Sequence, residues 1–538
     1  MKKYLLVLVS LCCVLSAAFA ENPDYPELKK SDANIIGHVL DKKTKEHLPY
    51  ITVALKGTTI GTVTDATGHY FLKNLPEGSF VLEVSSVGYK TLTRNVTLKR
   101  GKTLEEDFEI EEDAIALDGV VVSANRSETT RRLAPTLVNV VDLKLFETTN
   151  SSTLSQGLNF QPGVRVETNC QNCGFQQVRI NGLDGPYTQI LIDSRPVFSA
   201  LSGVYGLEQI PASMIERVEV MRGGGSALFG SSAIAGTINI ITKEPLRNSG
   251  QLSHTITSVG GSSSFDNNTS LNASLVTDDH RAGLYIFGQN RHRSGYDYDG
   301  DGFTELPELK NQTVGFRSYL KTSTYSKLTF EYHHMQEFRR GGDMLDRPPH
   351  EAHIAEQLQH SIDGGSLKYD YFSPNEKNRL SIFASAANTD RDSYYGPGND
   401  PLKAYGKTTD LIAMGGAQYV HTFDKCLFMP SDLTAGLEYN RDRLKDNMWG
   451  YDRHTDQTVN IYSAFLQNEW KNERWSILVG GRLDKHNMVD NIIFSPRANL
   501  RFNPTQNINL RLSYSSGFRA PQAFDEDMHL SLIHISEP

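Results

Sequence analysis

The sequence predicts a mainly β protein with a small β-sandwich, a mixed α/β domain and a transmembrane antiparallel β-barrel. Three observations support this fold class: an export signal at the N-terminus, alternating strand segments of about ten residues after Gly250, and linkers that alternate between short and long. A composition of 38% hydrophobic and 22% charged residues fits such a barrel, because its strands alternate apolar and polar side chains. The net charge of -9 provides no basic footprint, so we expect no nucleic-acid partner.

Residues 1–20 have the three parts of a secretory signal peptide. Met1 is followed by two lysines, an apolar run reaches Leu15, and Ala18-Phe19-Ala20 forms a small-residue cleavage site. A membrane anchor is the less favoured alternative, because the apolar run is too short to span a bilayer. We therefore expect export through a cleaved signal, with Glu21 as the mature start.

Residues 34–112 are predicted to form the small β-sandwich. Strand-like runs such as "YITVALKG" and "SFVLEVSSVGYKT" are separated by turn residues, for example at Pro76-Glu77-Gly78. The segment carries no catalytic groups, and we interpret it as a binding or spacer module.

A short, largely apolar segment at 117–124 follows an acidic linker. Its centre is Asp118-Gly119-Val120-Val121-Val122-Ser123. It is either an edge strand of the next domain or a mobile segment that adds itself to the sheet edge of a partner protein.

Residues 125–245 are predicted to form the mixed α/β domain. Its stretch "VEVMRGGGSALFGSSAIAGTINIITK" has the glycine spacing of a P-loop, but Ser231 stands where the phosphate-binding lysine belongs. We therefore expect no nucleotide site, and interpret the glycines as positions of tight turning and close packing. These glycines are Gly223, Gly224, Gly225, Gly230 and Gly236.

Residues 250–530 are predicted to form the barrel. Segments such as "AGLYIFGQNRH" and "WSILVGGRLDKH" alternate in polarity, and long linkers at 337–360 and 391–409 take turns with short ones. A soluble sandwich has no reason for that asymmetry, whereas a barrel with tight turns at one rim and long loops at the other shows it.

Three stretches carry a resemblance to the plug and barrel of TonB-dependent outer-membrane receptors. They are "GVRVETNCQNCGFQQVRINGLDGPYTQILIDSRPVFS", "GLEQIPASMIERVEVMRGGGSALFGSSAIAGTINIITK" and "GFRAPQAFDEDMHL". The segment in front, with "GHVLDKKTKEHLPYITVALKGTTIGTVTDATGHYFL", resembles the carboxypeptidase regulatory-like domain of Bacteroidetes receptors. The resemblance makes 125–245 the plug and Asp118–Ser123 the TonB box, which the TonB–ExbB–ExbD complex grips.

The resemblance also implies a function and a place. Such receptors lie in the outer membrane, contact its lipid, and import a small scarce ligand such as an iron–siderophore, haem or cobalamin. They are not enzymes, and no nucleophile–base pair or paired carboxylates appear in the chain. No cofactor is required. The alternatives are an adhesion or signalling receptor, or an importer of glycans or peptides.

A plug inside a polar lumen needs a charged surface. Charged and polar residues alternate along its predicted strands, as Arg217 and Glu219 do. We interpret this set as plug–wall contacts, the alternative being ordinary solvent-exposed strand charges. The set is Arg179, Asn181, Arg195, Arg217 and Arg222.

Two departures from the family pattern concern the C-terminal part. We count about 13 candidate strands, whereas closure of a plugged barrel requires about 22. Residues 531–538, "SLIHISEP", are expected to be a non-native tail of a truncated gene model. A chain of this form is not expected to be a working transporter.

The loop "DYDGDGFTELPE" has the ligand spacing of a calcium loop. Asp297, Asp299 and Asp301 occupy positions 1, 3 and 5, Gly302 the turn position 6, and Glu308 the bidentate position 12. The alternative is a solvated acidic turn, because no helices flank it. Calcium here would order the loop.

Two further groups of residues are candidate sites. Cys170 and Cys173 are expected to form a disulfide in a tight plug loop, with metal contact or a redox role as alternatives. A metal chelate or haem is a candidate ligand for His350 and His353, and the rings of Tyr296 and Tyr298 are candidates to stack on it. Their alternative is a polar loop.

Overall fold

The structure, a computed structural model, describes twelve stretches of the chain. They are 30–65, 67–86, 89–111, 120–126, 129–168, 174, 176–183, 185–196, 210–231, 233–397, 404–505 and 508–519. The predicted signal peptide, the Cys170–Cys173 pair and the tail at 531–538 lie outside these residues. In the described part, no helix has both the length and the apolar character needed to cross a membrane.

The N-terminal unit is a β-sandwich of two sheets. One sheet has the order β4-β1-β7, with β8 also pairing β1, and the other has the order β3-β2-β5-β6. Alternate residues such as Leu82 and Val84 on β5 point into the core and are fully buried. The strands are β1 Lys30–Asp41, β2 Thr52–Leu55, β3 Gly61–Val63, β4 His69–Pro76, β5 Gly78–Ser85, β6 Leu92–Leu98, β7 Thr103–Glu105 and β8 Phe108–Ile110.

The second unit is a mixed α/β domain built on a five-stranded sheet with the order β11-β16-β17-β14-β15. Its first helix begins where the Asp142 carboxylate accepts a hydrogen bond of 2.9 Å from the backbone N–H of Leu145. The strands are β9 Val120–Val121, β10 Thr129–Thr130, β11 Val138–Asp142, β12 Val164–Thr168, β13 Gln176–Ile180, β14 Thr188–Ile192, β15 Arg195–Pro196, β16 Ile215–Arg222 and β17 Gly236–Thr242. The helices are α1 Leu143–Thr148, α2 Leu154–Leu158 and α3 Ser226–Phe229.

The third unit is one antiparallel sheet of 13 strands in which every strand pairs with its neighbours in sequence. Among the described residues, β18 and β30 each pair on one side. The strands are β18 Ser249–Ser258, β19 Phe265–Val276, β20 Ala282–Arg293, β21 Glu308–Ser323, β22 Ser326–Gly342, β23 Ile354–Phe372, β24 Asn378–Pro397, β25 Tyr405–Cys426, β26 Met429–Met448, β27 Arg453–Lys471, β28 Trp475–His486, β29 Ile493–Thr505 and β30 Ile508–Ser515.

The strands of this sheet are longer than the alternating segments predict. Most of the predicted linker 337–360 belongs to β22 and β23, and most of 391–409 belongs to β24 and β25. The backbone ladder continues through polar residues because pairing needs only N–H and C=O groups, not apolar side chains.

The concave side of the sheet faces the α/β domain and is rich in charge. Arg291, Arg339, Arg391 and Arg501 are among the largest fully buried side chains of the described chain. The outward side carries exposed apolar residues, for example Leu512. This polarity is the one expected of a barrel wall with lipid outside and a polar filling inside.

Candidate functional site

The glycine-rich turn after β16 lies where the plug packs most closely. Gly236 has φ 159°, and a Cβ there would lie 2.3 Å from the Met221 backbone oxygen. A Cβ at Gly224 would lie 2.1 Å from the Ser515 hydroxyl oxygen on β30. Gly223 and Gly230 have φ of 82° and 83°, in the left-handed region that favours glycine. Close packing and turning therefore account for these positions without a bound phosphate.

One buried carboxylate, Glu219 of β16, holds the downstream end of the 118–123 segment. Its Oε2 accepts hydrogen bonds from the backbone N–H of Val122 at 2.9 Å and of Ser123 at 2.8 Å, and from the Ser123 hydroxyl at 2.7 Å. Its Oε1 accepts from Nε of Arg217 at 3.0 Å. Asn239, its partner across the sheet, donates to the Ser123 hydroxyl at 3.0 Å. Glu219 is fully buried, so these charge-assisted bonds form in a low-dielectric setting.

The start of the segment is described only in part. Asp118 and Gly119 lie outside the described residues, whereas Val120 and Val121 form β9 and pair with β10. Val121 is fully buried in a small apolar cluster of the plug. The described residues of the predicted TonB box, 120–123, are therefore docked on the plug.

The next residues of the chain are held by the barrel wall. Nη2 of Arg497 donates to the Ala124 carbonyl oxygen at 2.7 Å. The Asn125 side chain donates to the Glu469 carboxylate at 2.9 Å. Three hundred or more residues separate these partners in sequence, so no local pattern predicts the contacts.

Arg126 completes this series of wall contacts. It forms an ion pair with Glu438 of β26, whose other oxygen lies 2.6 Å from Nη1 of Arg482 on β28. Its guanidinium also lies over the rings of Phe229, at 4.9 Å, and Phe465, at 5.0 Å. All three charged groups are at least nine-tenths buried, so each depends on its partners for charge compensation.

A second plug–wall contact lies at the turn between β14 and β15. The Asp193 carboxylate forms an ion pair with Arg317 of β21 and accepts a 2.7 Å hydrogen bond from the Thr242 hydroxyl. Burial alone would raise the pKa of Asp193, but Arg317 and Thr242 hold that pKa below its ordinary value. The carboxylate is therefore ionised and able to hold the wall.

The predicted plug set takes a different arrangement from the one expected. Arg217 pairs with Glu216 at 2.7 Å as well as with Glu219, and Arg179 pairs with Glu167 at 2.5 Å, so these ion pairs lie within the plug. They form there because charged residues at alternate or cross-strand positions share one face of a strand.

Three residues of the set have other surroundings. Arg195 is buried with its guanidinium 5.1 Å from the centre of the Phe383 ring on the wall. Arg222 donates to the Pro162 carbonyl oxygen inside the plug. Asn181 is exposed with φ 53° in the turn after β13.

The two histidines predicted to contact ligand each have a partner of their own. Nδ1 of His350 lies 2.9 Å from the Tyr405 hydroxyl, and Nδ1 of His353 lies 2.6 Å from the Asp343 carboxylate. Burial acts to raise the pKa of Asp343, but the Ile354 N–H and His353 hold it below its ordinary value. Ligand contact by His350 and His353 stays a prediction.

The two predicted tyrosines lie on the same face of the loop region. The ring centroids of Tyr296 and Tyr298 are 6.3 Å apart, and Tyr298 is 77% exposed. Stacking on a ligand stays a prediction for both rings.

The predicted calcium loop gathers a different set of carboxylates. Ligand atoms of Asp297, Asp299 and Glu305 lie within 4.8 Å of one another. Glu308, predicted to be the bidentate ligand, opens β21, where it pairs with Lys310 at 2.7 Å. Asp301 accepts a bond from the Phe303 backbone instead. The structure therefore places Glu308 apart from the gathered carboxylates, and calcium binding by the predicted set stays a prediction.

Cys426 is the free thiol of the described residues and is half-buried at the end of β25. The predicted disulfide of Cys170 and Cys173 falls outside the described residues and stays a prediction.

Family models match three consecutive parts of the chain. The CarboxypepD_reg-like domain matches residues 35–122, and the TonB-dependent Receptor Plug Domain matches 130–237. The family described as TonB dependent receptor-like, beta-barrel, matches 237–528. These boundaries follow the three units of the fold.

Individual relatives are more distant. The chain is similar to a vitamin B12 transporter, BtuB, of Vibrio vulnificus strain CMCP6, at 25% identity over 424 residues, which cover 76% of this chain and 64% of that protein. A second BtuB, from strain YJ016, is 29% identical over 237 residues, which cover 39% of each chain.

Solved structures show the same fold. The siderophore receptor PirA of Acinetobacter baumannii superposes with a TM-score of 0.63 at 19% identity, over 73% of this chain and 62% of that one. FpvA of P. aeruginosa, solved with pyoverdines bound, superposes with a TM-score of 0.61 at 13% identity, over 77% and 62%. The chain thus spans less than two thirds of these relatives. With its regulatory-like, plug and barrel units in this order, the chain belongs to the TonB-dependent receptor family.

Proposed function

We propose that this chain is an outer-membrane receptor that imports a scarce ligand with energy supplied through the TonB–ExbB–ExbD complex. The observation that carries the proposal is the attachment of the 118–123 segment. A single buried carboxylate, Glu219, accepts three hydrogen bonds from Val122 and Ser123. Together with the two-residue pairing of β9 with β10, this short attachment is suited to release as a unit.

The wall contacts next to this attachment suit a plug that stays in place while the segment leaves. Ala124, Asn125 and Arg126 are each held by a different barrel strand, through Arg497, Glu469 and Glu438. Pulling at the upstream end therefore meets the Glu219 contacts before it meets the wall.

Cobalamin and ferric siderophores are the ligand classes we favour. The sequence relatives are vitamin B12 transporters by name, and the structural neighbours are siderophore receptors by title. Haem stays an alternative, because His350 and His353 line one loop region even though they hold separate partners. Export through a cleaved signal at 1–20 is part of the same proposal, and N-terminal sequencing of the mature protein tests it.

Deletion of Asp118–Ser123 tests the energy coupling. Uptake of radiolabelled cyanocobalamin and of a radiolabelled ferric catecholate siderophore is measured in cells that express the full-length gene with and without the deletion, beside binding of the same probes to isolated membranes. For the probe that the undeleted protein transports, we expect the deletion to abolish uptake and to leave binding unchanged. The deletion removes the point of attachment for TonB and leaves the barrel intact. The matched control deletes an equal length of the preceding linker, 112–117.

Two results would contradict the proposal. Uptake that survives the deletion would show that import does not use this segment. Binding without uptake in the undeleted protein would favour an adhesion or signalling receptor, and a failure of both probes with uptake of an oligosaccharide or peptide would favour that class of importer.

A further inference from the structure

Three histidines of the N-terminal sandwich lie together on its surface. His38 of β1 and His69 of β4 are direct partners across the sheet. His47, in the loop after β1, is brought alongside by a bridge to Leu40. The ring centroids are 5.1 Å apart for His38 and His47, 4.9 Å for His47 and His69, and 5.7 Å for His38 and His69.

These separations match three imidazoles around one metal ion. A zinc–nitrogen bond of about 2.0–2.1 Å places each ring centroid about 3.2 Å from the metal. Tetrahedral angles then put the centroids about 5.2 Å apart. The three observed distances lie around that value, so the backbone already positions the rings at the correct spacing.

Oxygen atoms beside two of the rings favour the tautomer that metal binding uses. Nδ1 of His38 lies 3.1 Å from the Asp107 carboxylate. Nδ1 of His69 lies 3.1 Å from the Thr67 hydroxyl, which itself donates to Asp65 at 2.7 Å. These contacts favour the tautomer with the hydrogen on Nδ1, which leaves a lone pair on both Nε2 atoms. Carboxylate–histidine–metal arrangements use this same tautomer.

We propose that His38, His47 and His69 bind one divalent transition-metal ion through Nε2, with water in the fourth position. Imidazole ligands favour Zn²⁺, Cu²⁺ and Ni²⁺ over Ca²⁺ and Mg²⁺. His47 and His69 are exposed, so the ion reaches the site from solvent and both rings are free to rotate.

The histidine site differs from the acidic loop at Asp297 in the type of its ligand atoms and in whether those atoms already lie close together. In that loop three ligand oxygens already lie within 4.8 Å of one another, whereas the histidine nitrogens converge by ring rotation when the ion binds. The bound ion would tie β1, β4 and the loop after β1 together. This inference does not rest on the proposed import function.

Calorimetric titration of the full chain in detergent with Zn²⁺ tests the site. Because the chain has 16 histidines, the informative quantity is the difference between variants. We expect His69→Ala to remove one zinc equivalent, and Asp107→Asn to weaken that equivalent by about 10-fold to 100-fold through the lost orientation of His38. The control, His454→Gln, changes an exposed histidine of the barrel and should leave that equivalent unchanged.

Cu²⁺ electron paramagnetic resonance gives an independent reading. Three coupled nitrogens are expected in the unaltered chain, and fewer in His47→Ala. Thermal unfolding without metal checks that these surface changes leave the sandwich folded. Zinc binding that is equal in His69→Ala, His454→Gln and the unaltered chain would overturn the proposal and leave the trio as a surface ring cluster. A site that prefers Ca²⁺ to Zn²⁺ would also overturn it.

Discussion

The sandwich and the barrel wall use the same strand alternation with opposite polarity. On β5 of the sandwich, Val84 is fully buried and the neighbouring Glu83 reaches solvent. On β26 of the barrel, Glu438 is 6% exposed and the neighbouring Leu437 is 66% exposed. The alternation along a strand therefore determines which residues share a face. Whether the apolar face points inward or outward depends on whether the outside of the domain meets water or lipid.

The difference also separates two ways of stabilising a domain. The sandwich excludes water from hydrocarbon and keeps its ion pairs at the surface, as in Lys45 with Glu109 at 2.7 Å. The plug and wall bury their ion pairs, as in Glu438 with Arg482. Surface pairs contribute about 0–1 kcal/mol, whereas loss of one partner from a buried pair is far more costly.

The largest effect is expected from Glu219→Ala in the plug. It removes the buried carboxylate that Nε of Arg217 contacts and frees Val122 and Ser123, at a cost of about 3–5 kcal/mol. A cysteine placed at Val122 should then react with a maleimide at least tenfold faster. Glu216→Ala is the matched control, because Glu216 pairs with the same arginine from a side chain that is 44% exposed. Equal reactivity in the two variants would show that Glu219 does not hold the segment.

The next effect is expected in the sandwich from Leu82→Ala. The fully buried leucine leaves a cavity, which should lower the free energy of unfolding by about 2–5 kcal/mol. Resistance of the N-terminal unit to protease in urea measures this. Leu92→Ala, at a position 37% exposed on β6, is the control and should change little. A similar cost at both positions would contradict an apolar core at Leu82.

A smaller effect that sharpens the comparison is expected from Leu437→Arg. On a lipid-facing position near the middle of β26 the charge should cost about 2–4 kcal/mol, measured by urea titration of the protein folded into vesicles. Leu427→Arg, in the turn before β26 and 78% exposed, should cost about 0–1 kcal/mol as the rim control. If Leu437→Arg were harmless, its face would meet water rather than lipid.

Much of the architecture could be predicted because it depends on patterns of residues that are close in sequence. Period-two alternation predicts the barrel strands, and the "IERVEVMRG" and glycine stretches predict the plug. Strand ends were less predictable: residues such as Gln357 and Arg391 look like loop but continue the ladder, since pairing depends on the neighbouring strand.

The site was predictable only in part, because its contacts join distant parts of the chain. Glu219 was visible in the sequence only as a charge alternating with Arg217 along a predicted strand. Its partner segment lies about a hundred residues upstream, and the wall partners of Asp193 and Arg126 lie further away still. The histidine trio was not predicted for the same reason, because its members are separated in sequence and follow no spacing motif.

The order of the anchors along 122–126 has a mechanical consequence. Once β9 has left β10, a tension applied upstream loads Glu219, then Arg497, Glu469 and Glu438 one after another, because their contacts follow one another along the chain. Bonds loaded in series break singly, so the peak force equals that of the strongest single anchor and not the sum of all four. The segment can therefore detach at a lower force than simultaneous rupture of all four contacts would need. The ion pair of Arg126 with Glu438 is the last contact in this order.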